Sequence, residues 1–147
     1  MTIHAKVIPE GFEPLPASSP FVTLMGTLYF RAKDNGIRVL ALEVVNDHMN
    51  MHANAHGGML ATLADSALGY NISRMAKRGV VTAQMNLEFL SAVQEGDWLE
   101  AHVTMDKQGS RLIFASCDLL VGERRVLKTT AIFAVRRQDG SPQQSDG

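Results

Sequence analysis

Along the chain the rhythm of apolar and polar positions changes twice. Residues 27–33 and 37–45 read as two strands, and Asp34-Asn35-Gly36 between them has the make-up of a hairpin turn. A stretch rich in Asn, His and Gly follows. From 58 to 77 the period becomes helical, with Leu60, Leu63, Ala64, Ala67, Leu68 and Met75 on one apolar stripe and Gly79 as the stop signal. Period two then returns. Residues 82–89 set Ala83, Met85, Leu87 and Phe89 on one side and Thr82, Gln84, Asn86 and Glu88 on the other. After Gly96-Asp97, Leu99, Ala101, Val103 and Met105 alternate with Glu100, His102 and Thr104, which turns His102 to solvent. Two more strands are expected over 112–121 and 125–136, entered from Gln108-Gly109-Ser110 and Gly122-Glu123. The predicted order is ββαββββ, an α+β domain whose last four strands are antiparallel neighbours joined by short turns. One helix covers little of such a sheet, so the other face is expected to meet a second subunit.

Composition narrows the class. The 147 residues suffice for one domain that needs no disulfide or metal staple. Pro9, Pro14, Pro16 and Pro20 mark residues 1–20 as an irregular arm, the working domain spans 21–137, and 138–147 is a polar tail. Fourteen basic against fifteen acidic residues give a net charge of −1, which speaks against nucleic acid but leaves room for a local basic patch. The single Cys117 has no partner for a disulfide and reads as a buried, inert thiol. No signal-peptide core opens the chain, and no apolar run approaches the roughly 20 residues of a spanning helix. A cytoplasmic protein with no membrane partner is expected.

Asp65 is the first residue to suggest chemistry. It is a poor helix former in mid-helix, about 130° from the centre of the apolar stripe, among the small or apolar Ala61, Gly69, Ile72 and Ala76. It reads either as a flank aspartate in water or as a carboxylate that something approaches closely. At the helix entrance, His56-Gly57-Gly58 offers backbone N–H groups at the positive end of the helix, suited to an anion or a carbonyl oxygen gaining charge. His48, His52 and His56 recur every four residues, but Gly57-Gly58 makes the segment a loop, so His56 is read as orienting and the other two as incidental. No metal site is expected. Nucleophile-elbow, dinucleotide and phosphate-loop motifs do not occur.

Taken together, Asn50-x5-His56-Gly57-Gly58-x4-Leu63-x-Asp65 resembles the signature of hot-dog-fold acyl-CoA thioesterases of the phenylacetate-degradation (PaaI-like) type. The resemblance continues through residues 82–90, 96–101 and Gly109-Ser110-Arg111, and covers about 20–137. It implies a long central helix wrapped by the sheet and a homodimer joined edge to edge, often paired into a homotetramer. It also implies hydrolysis of an acyl-CoA, with no cofactor. Gly57 N–H would polarise the thioester carbonyl, and Asp65 of the opposite subunit would act as general base or nucleophile. Asn50 would position water or thioester, His56 would brace the loop, and Thr82 would hold water near Asp65. Gly58 and Arg111 would contact substrate, Arg111 through the CoA phosphates. Ala53 and Ala92 stand where family members often carry Gly and Pro, which leaves open whether Asn50 or Asn54 faces the substrate. Two other functions compete: a hot-dog hydratase or dehydratase, and a non-catalytic acyl-CoA-binding module.

Overall fold

The computed structural model describes residues 7–16 and 19–137; the ends of the expected arm and the polar tail at 138–147 lie outside the described residues. The elements in order are β1 (Glu13–Pro14), α1 (Pro20–Thr23), β2 (Tyr29–Ala32), β3 (Arg38–Glu43), a 3-10 turn (Asn46–His48), α2 (Gly57–Ala76), β4 (Val80–Phe89), β5 (Trp98–Gln108), β6 (Leu112–Val121) and β7 (Arg124–Val135). They form one seven-stranded sheet of order β1-β2-β3-β5-β6-β7-β4, antiparallel at every pairing. The two-residue β1 and the single-turn α1, capped by Ser19, add order inside the proline-rich segment. Gly36, at φ +90°, makes the β2–β3 turn that its sequence signals.

The last four strands are not all neighbours. β4 and β5 are joined by residues 90–97 rather than by a hairpin, so β4 crosses to the far side of β7 and becomes an edge. Its free side is long, and Val81 and Phe89 along it are exposed.

Helix α2 lies across the sheet and buries Leu60, Leu63, Ala64, Ala67 and Leu68, as its period requires. Met75, expected on the stripe, is exposed, and Asn71 and Ile72 are buried instead. Asn71 is tolerated there because its polar atoms are used. Its Oδ1 accepts from Arg38 N–H at 2.7 Å, and its Nδ2 donates to the carbonyls of Arg38 and Ala67, both at 2.9 Å. The helix stops at Lys77, which adopts the left-handed conformation at φ +56°, two residues before the expected Gly79. Leu63, Leu68, Ile72 and Phe133 are fully enclosed in the shared core, each worth about 1.5–3 kcal/mol of burial.

The opposite face of the sheet carries a small second cluster of Phe12, Val39 and Ala41 beside Tyr29 and Trp98. Phe12 meets Trp98 edge-on at 5.3 Å between centroids. Next to it Glu100 accepts from Trp98 Nε1 at 3.1 Å and bonds His102 Nε2 at 2.9 Å, so His102 is paired rather than simply solvated. The His102 hydrogen bond outweighs burial and holds the Glu100 carboxyl below its ordinary range.

Candidate functional site

The segment between β3 and α2 is tied down residue by residue. Asn50 Oδ1 accepts from the N–H groups of His52 at 2.8 Å and Asn54 at 3.1 Å, so the Asn50 oxygen organises its own loop. Asn54 lies nearer the helix end, and its Oδ1 accepts from Gln94 Nε2 at 2.9 Å. Ala53 sits between them at φ +64°, a conformation that favours glycine.

His48 has a larger part than its spacing suggests. It is buried; Nδ1 accepts from Val45 N–H at 3.0 Å, and Nε2 bonds the Met25 carbonyl at 2.8 Å. Its own carbonyl accepts His56 N–H at 2.8 Å. The loop therefore hangs from the end of α1 through this ring. A buried partner was not readable from a histidine in a polar stretch. His52 is exposed, and the three histidines do not converge; among the described residues no group of three potential ligands could hold a metal ion.

At the start of α2, His56 is the N-cap and its Nδ1 accepts Gly58 N–H at 2.8 Å. The His56 carbonyl accepts from Met59 at 2.9 Å and Leu60 at 3.1 Å. The first turn of a helix has four N–H groups without helical partners. Counted from the N-cap, these belong to His56, Gly58 and Met59, which are all used, and to Gly57, whose N–H alone donates to no acceptor among the described residues. Gly58 has a different reason to be glycine, since a β-carbon there would lie 3.1 Å from His56 Nδ1.

Asp65 lies two turns further along, half-buried, and its Oδ1 accepts from Thr82 Oγ1 at 2.6 Å. Strict alternation puts Thr82 on the outer face with Gln84. A bulge prevents this: Thr82 pairs with Phe133 and Gln84 with Ile132, leaving Ala83 unpaired. Opposed residues share a face, and Phe133 is buried against α2, so Thr82 points to the helix as do Met85, Leu87 and Phe89 beyond the bulge.

Arg111 lines a groove of about 780 Å³ with Arg78, Ser110 and Arg137. Arg124 and Arg125 are engaged elsewhere. Arg124 Nη1 donates to Ser91 Oγ at 2.6 Å, and Arg125 meets Asp118 at 3.4 Å. Cys117 is buried, and burial pushes its thiol up to about 12.

Residues 52–128 match the family model of the thioesterase superfamily. The chain belongs to that superfamily. It has the hot-dog fold, and it is a thioester hydrolase. A Pseudomonas aeruginosa protein, PA0474, which bears the provisional name of an esterase, is 42% identical over 86% of this chain and 96% of its own length. The Escherichia coli acyl-coenzyme A thioesterase PaaI is 29% identical over 68% of this chain and 69% of its own. Among solved structures, a hypothetical thioesterase from Streptococcus pneumoniae, crystallised with coenzyme A, superposes with TM-score 0.73 and 27% identity over 80% of this thioesterase and 91% of that chain. No helix among the described residues of the thioesterase is long and apolar enough to cross a membrane.

Proposed function

We propose that the protein hydrolyses acyl-CoA thioesters to the free acid and CoA, in the cytoplasm, as a homodimer or a pair of homodimers. The observation that carries this is the spare N–H of Gly57 eight residues from the Thr82-supported carboxylate of Asp65 on one helix. Eight residues are about 12 Å of helix. That is too far for both groups to act on one carbonyl, and about right for two helices crossing antiparallel to supply one each. Phe89 borders Gly57 and Thr82 borders Asp65. A two-fold axis bringing Gly57 to the other copy's Asp65 therefore pairs the free β4 edges about a point between Met85 and Asn86.

In such a site Gly57 N–H stabilises the oxyanion formed as the C–S carbonyl is attacked. Asp65 takes the proton of the attacking water, or attacks the carbonyl itself. Attack by the carboxylate breaks the C–S bond and expels CoA thiolate, which solvent protonates, after which water hydrolyses the acyl-enzyme anhydride. When water attacks directly, the carboxyl returns its proton to the departing CoA thiolate. Thr82 orients the carboxylate, His56 holds the loop, and Arg111, with Arg78 and Arg137, receives the CoA phosphates. Both PaaI of E. coli, by name an acyl-coenzyme A thioesterase, and the CoA-bound neighbour support this substrate class.

The test mixes two inactive variants. Gly57→Pro removes the spare N–H, Asp65→Asn removes the base, and neither should release thiol from acyl-CoA alone at more than about a hundredth of the wild-type rate. After subunit exchange, each mixed dimer keeps one intact site, and about a quarter of wild-type activity should return. Exchange without any recovery would place both groups in one chain's site and defeat the shared arrangement.

A further inference from the structure

Resting on the acyl-CoA reading above, we propose that the groove leading from Gly57 along Phe89 and Leu90 receives the acyl group, selects uncharged apolar acyl groups larger than acetyl, and owes that selectivity chiefly to Phe89. The groove encloses about 440 Å³ and is walled by Gly57, Leu60, Phe89, Leu90, Ala92 and Val93. It begins at the one helix-end N–H left to polarise a carbonyl, so the acyl carbons next to that carbonyl enter it first. The Phe89 ring stands at this mouth: a β-carbon built on Gly57 would lie 3.4 Å from its Cε1 and 3.6 Å from its Cζ.

In the single chain Phe89 and Leu90 are about half exposed, so the surface at this mouth of the groove is apolar. An acyl chain laid on them covers that surface and is itself removed from water, which multiplies binding about fourfold per buried methylene. No residue lining the groove carries a positive charge. Asn54 Oδ1 is bonded to Gln94, and Ser91 Oγ accepts from Arg124. The Arg124 guanidinium is held by the Ala92 carbonyl at 2.8 Å and faces Asp97 at 3.8 Å. A carboxylate on the acyl chain would lose water and meet no opposite charge, only the neutral amide of Asn54. The walls are also set in advance, since Ala55 N–H donates to the Val93 carbonyl at 2.8 Å and Leu90 N–H to the Val126 carbonyl at 2.9 Å.

The experiment measures kcat/KM on acetyl-, hexanoyl-, benzoyl- and succinyl-CoA for the wild type, Phe89→Ala and Ala92→Phe, with light scattering on each. The wild type should favour hexanoyl and benzoyl over acetyl by at least about tenfold, and succinyl should be the poorest of the larger groups. Phe89→Ala, which strips the wall, and Ala92→Phe, which fills the groove, should each lower the benzoyl-to-acetyl ratio by about tenfold. A wild type that prefers acetyl or succinyl, or ratios unchanged in both variants, would overturn the groove assignment. Should Phe89→Ala alter the assembly, Ala92→Phe decides. Failure of the wild type to release thiol from any of the four would instead bring down the acyl-CoA reading, and the groove assignment with it.

Discussion

Around Gly57 three backbone N–H groups are held by side chains of their own loop and others in the loop by backbone carbonyls, whereas a single hydroxyl supports Asp65. The first region has an N-cap, an Asn-centred turn and a buried His48 anchoring it to α1. The second has one threonine, delivered by a bulge at the edge of the sheet. The two suit different tasks. A donor that stabilises a developing oxyanion acts best when it cannot reorient, because the energy of orienting it has been met during folding. A carboxylate that takes up and returns a proton, or forms and breaks a bond, needs freedom to turn.

If this contrast is correct, the largest effect comes from the loosely held side. Asp65→Asn should lower kcat by about 10²–10⁴-fold with little change in the thermal midpoint, since no ion pair within the described residues depends on it. Near-wild-type thiol release would remove Asp65 from the chemistry. Gly57→Pro tests the rigid side by removing its N–H, with ring carbons added beside Phe89. Proline is favoured at the first helical position, and His56 already has the extended φ −65° and ψ 134° that a following proline demands. The variant should melt within a few degrees of the wild type yet lose about 10²–10³-fold in kcat; unaltered turnover would show that this N–H is idle. Thr82→Val should cost about tenfold, the worth of one hydrogen bond to a charged group, and Thr82→Ser should restore most of it. If the serine were as poor as the valine, packing rather than the hydroxyl would be at issue.

The smallest effect lies away from both regions and serves as their control. The Glu100 carboxyl is held low in the folded state, so its stabilisation is present above the ordinary glutamate value of 4.5 and is lost as pH falls below it. Glu100→Gln should cost about 1 kcal/mol or less at pH 7. That difference should close as the pH falls below the ordinary glutamate range in denaturant titrations, with kcat unmoved. A difference that persisted in acid would mean the glutamine is simply packed worse.

Much of this was legible in the order of residues. Periodicity located both hairpin strands, the helix and the four strands after it, because each element buries one face and period follows burial. It misjudged the far end of the helix. Met75 lies past the region the sheet covers, while Asn71 enters the core because two amide atoms can meet a strand's backbone. Neighbouring strands were harder, since the link between β4 and β5 is short enough to suggest a hairpin yet carries the chain from the outer side of β7 past β6 to β5. The candidate site residues and their roles were nameable from the resemblance, but the bonds that hold each of them were not. That Gly58 N–H is used by His56 while Gly57 N–H stays free depends on one ring orientation. His48 gave no warning at all, because its partner, the Met25 carbonyl, lies 23 positions away in the chain.

The extra residue in β4 also changes how that strand should respond to substitution. Before Ala83 the helix-facing positions are even-numbered, Val80 and Thr82; after it they are odd-numbered, Met85, Leu87 and Phe89. A saturation scan along this strand should therefore show a reversal of parity at one position, with intolerance to polar residues moving from even to odd. Deleting Ala83 would erase that reversal and make the strand regular. Thr82 would still oppose Phe133 and Gln84 would still oppose Ile132, so the hydroxyl would keep facing the carboxylate: the extra residue sets which numbers face the helix, not whether position 82 does.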